Sequence, residues 1–198
     1  IVLTAYYGGG GGAEQVILKT DLVEFQEFMT VFQTLSFTNM GGLEQNYDAM
    51  YLSIHNLVGA AALPYQIADL EWISGFWGSS SNESIPPKEQ WNISWRSDAK
   101  HVIVLFSDEQ GQSYFEPSIT ESILVDMIGM ADELAVYVFS TNNIITQPGG
   151  DNYESLTQAG FAGKMFILSS KAVEMYNNLL EILDETACSG ESENSVLP

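Results

Sequence analysis

Basic residues are scarce in this chain. Only 6 Lys+Arg stand against 26 Asp+Glu in 198 residues, a formal net charge of −20. No basic patch can be assembled to face phosphates, which excludes routine nucleic-acid binding and disfavours docking on an anionic membrane surface. Cysteine occurs once, as Cys188, so no internal disulfide can form. No apolar run reaches the roughly 18 residues needed to cross a bilayer, so no membrane insertion is expected. An internal repeat is also missing. The chain opens on Ile1 with no charged leader, and the first residues already read as a strand. A processed chain, or a piece of a longer protein, is therefore expected. Apolar residues are not in short supply: the sequence is 45% hydrophobic and 12% aromatic. That is enough to bury the core of about one domain and too much for disorder.

Along the chain, strand and helix patterns alternate. Ile1–Tyr7 and Gln15–Lys19 read as two strands, with the five glycines Gly8 to Gly12 as the hairpin tip. A phosphate loop would need a following Gly-Lys-Ser/Thr, which is absent. Asp21 and Glu24 fit a helix-start box, after which Phe25, Phe28, Met29, Phe32 and Leu35 repeat at helical spacing. A Gly-Gly loop around Gly41 leads into a second helix carrying Tyr47, Met50, Tyr51, Ile54, Leu57, Val58 and Ala61 on one face, with a structural His55 beside it. Residues 64–97 form an irregular Ser/Pro/Trp-rich insertion that holds all four tryptophans, Trp72, Trp77, Trp91 and Trp95.

Then comes the near-continuous apolar run His101–Ser107, the pattern of a strand buried on both faces of a parallel sheet. A helix fits Ser118–Ala131, with Ile119, Ile123, Leu124, Met127 and Ile128 inward. Leu134–Phe139 and Lys164–Leu168 read as further buried strands. A final helix carries Val173, Tyr176, Leu179, Leu180 and Leu183. The organisation is one α/β domain over residues 1–187, followed by a loose acidic tail over 188–198. Asn82-Glu-Ser84 and Asn92-Ile-Ser94 are glycosylation sequons that fit an extracellular or cell-surface location.

In open α/β sheets ligands bind beyond the carboxyl ends of the strands. Asp108 lies at such an end, and Glu44 lies in the Gly-Gly loop that opens a helix. Two acidic oxygen donors on separate loops over one sheet edge suit a hard divalent cation. General acid/base chemistry by Asp108 and Glu109 would need a nucleophile or an orienting His nearby. None stands at a telling spacing, so the chain reads as a non-enzyme. Glu109 and Asp48 read as solvated surface charges, and Asn142 and Asn143 as turn residues bordering the same edge.

The order strand, hairpin, helix, Gly41-Gly-Leu-Glu44-Gln-Asn-Tyr-Asp-Ala-Met50, helix, then Trp95-Arg96 and the run His101–Ser107 followed by Asp108-Glu109, resembles a von Willebrand factor type A domain, above all its secreted bacterial members. The resemblance spans Ile1 to about Ala187, apart from 64–94. It implies a Rossmann-like fold with a mostly parallel central sheet flanked by helices. It also implies a metal-ion-dependent adhesion site, in which Glu44 and Asp108 help hold Mg²⁺ (or Ca²⁺/Mn²⁺) and a carboxylate of a protein partner completes the octahedron. The family's first ligand loop, Asp-x-Ser-x-Ser, and the central strand before it do not occur in this chain. Another chain or an upstream segment is then expected to complete the sheet. The alternative is a metal-free structural subunit of a surface or filament assembly, which the Trp-rich insertion suggests.

Overall fold

The computed structural model describes residues 3–6, 16–20, 23–32, 45–72, 93–145 and 153–187. Its centre is a parallel sheet of three strands, β4 (His101–Ser107), β6 (Leu134–Ser140) and β7 (Ala162–Ile167), in the order β4-β6-β7. Two small antiparallel pairs accompany it. One joins β1 (Leu3–Tyr6) to β2 (Val16–Thr20), as expected for the hairpin, and the other joins β3 (Glu71–Trp72) to β5 (Phe115–Glu116). The helices are α1 (Phe25–Phe32), α2 (Asn46–Ile54), α3 (Glu121–Met130), the single turn α4 (Asn142–Ile145), α5 (Glu154–Ala159) and α6 (Ala172–Thr186). This is the α/β architecture expected, compatible with a Rossmann-like layering. The glycine run, the Gly-Gly loop, the first sequon, Asn92 of the second and the acidic tail lie outside the described residues.

All seven residues of β6 are buried, as a strand paired on both sides and covered on both faces requires. Successive side chains point to opposite faces. Leu134, Val136 and Val138 join the larger core with α2, α3 and α5, while Ala135, Tyr137 and Phe139 join a smaller one with Ile182 and Met175 of α6. In the larger core Ile119, Leu124, Met127 and Ile128 are buried where the helical repeat put them. Helix α3 starts at Thr120, whose hydroxyl accepts from the Ile123 N–H (3.3 Å). On the smaller face Phe106, Phe139 and Phe166 are register partners across the three strands, and their rings stack at 4.8 and 4.9 Å.

Four expectations need correction. The strand expected to be buried over Lys164–Leu168 runs Ala162–Ile167 and is buried at Phe166 alone, because β7 has a partner on one side among the described residues. β4 is not buried on both faces: His101 to Val104 are half-buried and Phe106 is exposed, because the strand has a partner on one side alone among the described residues. The second helix stops at Ile54 rather than running to Ala61. Asn56 turns aside to donate to the Ile93 carbonyl (2.6 Å), the Trp95 indole caps the Ser53 carbonyl (3.0 Å), and Gly59 follows. The apolar repeat of the last helix does not face the core; Met175, Ile182 and Thr186 do, and Val173, Tyr176 and Leu183 are exposed.

Candidate functional site

The carboxyl ends of β4 and β6 finish on Ser107 and Ser140, which are register partners. Both follow the alternation onto the α2 side of the sheet. There Ser107 meets the amino end of α2. Gln45, Asn46 and Asp48 are buried at this end, as are Ser107 and Ser140. A polar cluster so deep must be hydrogen-bonded to be tolerated.

Asn46 is its hub. Its Nδ2 donates to the Gln110 carbonyl (3.0 Å) and to the Tyr153 hydroxyl (2.5 Å), with Ser107 Oγ at 3.3 Å. Its Oδ1 accepts from the backbone N–H groups of Tyr47 (2.9 Å) and Gln112 (2.8 Å). The Tyr153 hydroxyl donates in turn to the Glu109 carbonyl (2.6 Å). Tyr153 reaches this position from a left-handed backbone (φ 66°) just before α5, a conformation uncommon outside glycine. Its ring meets that of Tyr47 edge to face at 6.3 Å. Gly111 lets the loop lie against Tyr47, because a side chain at 111 would overlap that ring.

Two residues further along α2, Asp48 clamps the loop that leads to α3. Its Oδ1 accepts from the Ser113 hydroxyl (2.5 Å) and its Oδ2 from the Tyr114 N–H (2.7 Å). Ser113 Oγ also accepts from the N–H groups of Phe115 and Ile119. Burial pushes the Asp48 carboxyl up to about 7, and the hydrogen bonds from Ser113, Tyr114 and Phe115 pull against that rise. Not every group finds a partner among the described residues. The Gln45 amide and the Ser140 hydroxyl are buried with no hydrogen bond.

Asp108 stands where expected, on the exposed turn directly after β4. Glu44 lies outside the described residues, one position before Gln45. Asn46 brings the start of α2 against the segment that carries Asp108. Among the described residues no group of three or more His, Cys, Asp or Glu is placed to hold a metal ion. Ser107 Oγ is already engaged, donating to the Glu109 carbonyl (3.1 Å). Asp48 is not the solvated charge expected of it, and Glu109 is half-buried. Asn142 and Asn143 open α4 and are exposed. His55 is structural as expected, its Nδ1 2.7 Å from the Leu52 carbonyl; burial lowers its pKa. It borders a shallow concavity of about 450 Å³ with Val58, Leu63 and Ile67, a wall without a carboxylate.

The Asn46–Tyr153 pair was not anticipated from sequence. The one available signal was a run, Gln-Asn-Tyr-Asp, with polar residues on every side of a helix start that also carries Tyr47, Met50 and Tyr51. In the structure Asn46 to Leu52 and Ile54 are buried, so α2 is enclosed on every side rather than amphipathic. No helix among the described residues is long and apolar enough to cross a membrane. No protein-family model, no curated protein and no solved structure matches this chain.

Proposed function

We propose that the chain is an extracytoplasmic protein-interaction module that binds its partner at the carboxyl edge of the sheet. A divalent ion, Mg²⁺ or Ca²⁺/Mn²⁺, bridges Glu44 and Asp108 to a carboxylate of the partner. The observation that supports this reading is the tie made by Asn46, which holds the start of α2 against Ser107 and Gln110 on either side of Asp108. The charge pattern agrees with it. No Lys or Arg occurs over residues 20–87 or 101–163, so no cation from those stretches competes for the two carboxylates. Mg²⁺ takes few protein carboxylates, keeps several waters and leaves room for an outside ligand.

Titration calorimetry of the whole chain with MgCl₂ and MnCl₂ tests the reading. We expect saturable uptake of one ion that is lost in Asp108→Ala and in Glu44→Ala. Absence of uptake, or uptake unchanged in both variants, overturns it.

A further inference from the structure

Helix α6 carries three stripes. Met175, Ile182 and Thr186 face the sheet at i, i+7 and i+11. Glu174, Glu181, Asp184 and Glu185 form an acidic stripe, and the helix contains no Lys or Arg. Val173, Tyr176, Leu180 and Leu183 recur at i, i+3, i+7 and i+10 as an apolar stripe. This third stripe lies in water: Val173 is 64%, Tyr176 60%, Leu180 39% and Leu183 62% exposed. Scattered apolar residues on a surface need no explanation, but a continuous stripe over three turns marks a place where something packs.

The neighbouring charges narrow what that is. The side of α6 that bears Glu181 and Glu185 reaches back to the sheet, where Glu181 pairs with Lys164 and Glu185 accepts from the Tyr137 hydroxyl (2.7 Å). Glu174 pairs with Lys171 (2.6 Å). No further Lys or Arg follows Lys171, so the acids outnumber the bases along this helix in a chain of net charge −20. A second copy would bring an identical acidic stripe and another −20 to the contact, and like charges set across an interface disfavour it. A helix with apolar residues at the same spacing and Lys/Arg on its flanks meets both stripes at once.

We propose that the apolar stripe of α6 is a docking surface for an amphipathic helix with basic flanks, contributed by a different polypeptide. The apolar residues supply the contact and the acidic stripe sets the orientation and excludes self-association. The surface is separate from the carboxyl-edge site and needs no metal ion.

The test uses the full 198-residue chain and a fluorescent 18-residue peptide probe, with Leu at i, i+3, i+4 and i+7 spacing and Lys at the flanking positions, read by anisotropy in the presence of a chelator. We expect saturable binding that weakens at least tenfold in Leu183→Asp and in Val173→Asp. Both positions are exposed, and far-UV circular dichroism is expected to be unchanged in both variants. A peptide of the same composition with its Leu positions shuffled is expected to bind at least tenfold more weakly. Asp184→Lys should weaken the Lys-flanked peptide and strengthen a Glu-flanked one. Equal binding of the shuffled peptide, or binding indifferent to both stripe variants, overturns the proposal by reducing it to charge attraction. Sedimentation that finds a dimer abolished by Leu183→Asp overturns it in favour of a second copy.

Discussion

The two faces of one sheet are finished differently. On the side of α2, α3 and α5, Leu124, Met127, Ile128, Leu134, Val136 and Val138 are sealed from water, and most polar groups at the edge are spoken for by Asn46, Asp48 and Tyr153. On the side of α6, the aromatic row Phe106–Phe139–Phe166 is covered in part, and the helix above it turns an apolar stripe outward. The same strands serve both faces, so the strands are not the cause. The cause is what each helix offers. Helix α3 brings apolar residues on its inward side, whereas α6 spends Val173, Tyr176 and Leu183 on its outward one. The closed face is where stability resides and the open face is where another molecule can be received.

Mutations should fall into line with that contrast. The largest effect is expected from Leu124→Ala in the closed core, a loss of about 2–5 kcal/mol as transfer and cavity terms add, seen as a lower urea midpoint. Next is the pH dependence set by Asp48. Its carboxyl titrates near 7 in the fold against 3.8 when unperturbed. The folded state therefore holds a proton that the unfolded state has released between those values. The resulting stability is fully present below pH 4 and is lost as pH rises through 7, on the order of 4 kcal/mol. Urea midpoints measured from pH 4 to 8 should fall, and Asp48→Asn should flatten that slope; a slope unchanged in Asp48→Asn would show that self-repulsion of the other acids causes it. Tyr153→Phe removes the donor to Glu109 and an acceptor of Asn46, a cost of about 1–3 kcal/mol. The smallest effect belongs to the open face: Leu183→Ala should change stability by less than about 0.5 kcal/mol. A drop as large as that of Leu124→Ala would erase the distinction between the faces.

Most of the layered architecture was legible in sequence because the signals are local. Leu134–Phe139 is a strand because seven consecutive residues, Ser140 included, suit burial on both faces, and Ile119 to Ile128 keep helical spacing throughout. Sequence could not tell the middle strand from its neighbour: His101–Ser107 and Leu134–Ser140 look alike, and pairing on one side or two is a tertiary property. Nor could it orient the last helix, since a stripe of Val, Tyr and Leu looks the same whether it meets the core or water. Of the candidate site, the edge and the place of Asp108 were legible. The hub was not. Asn46 draws its partners from Ser107, Gln110, Gln112 and Tyr153, up to 107 residues away, and no short spacing announces such a set.

The stack of Phe106, Phe139 and Phe166 carries one more consequence. Each ring sits one residue before the end of the edge, so the row fixes how far every strand projects toward the loops. A slip of one residue would turn each ring to the opposite face and bring Leu105, Val138 or Met165 in its place. The stack thus acts as an alignment gauge. It lies on one side of the sheet and keeps Ser107 and Ser140 level on the other, so the polar edge inherits its spacing from rings that it never touches.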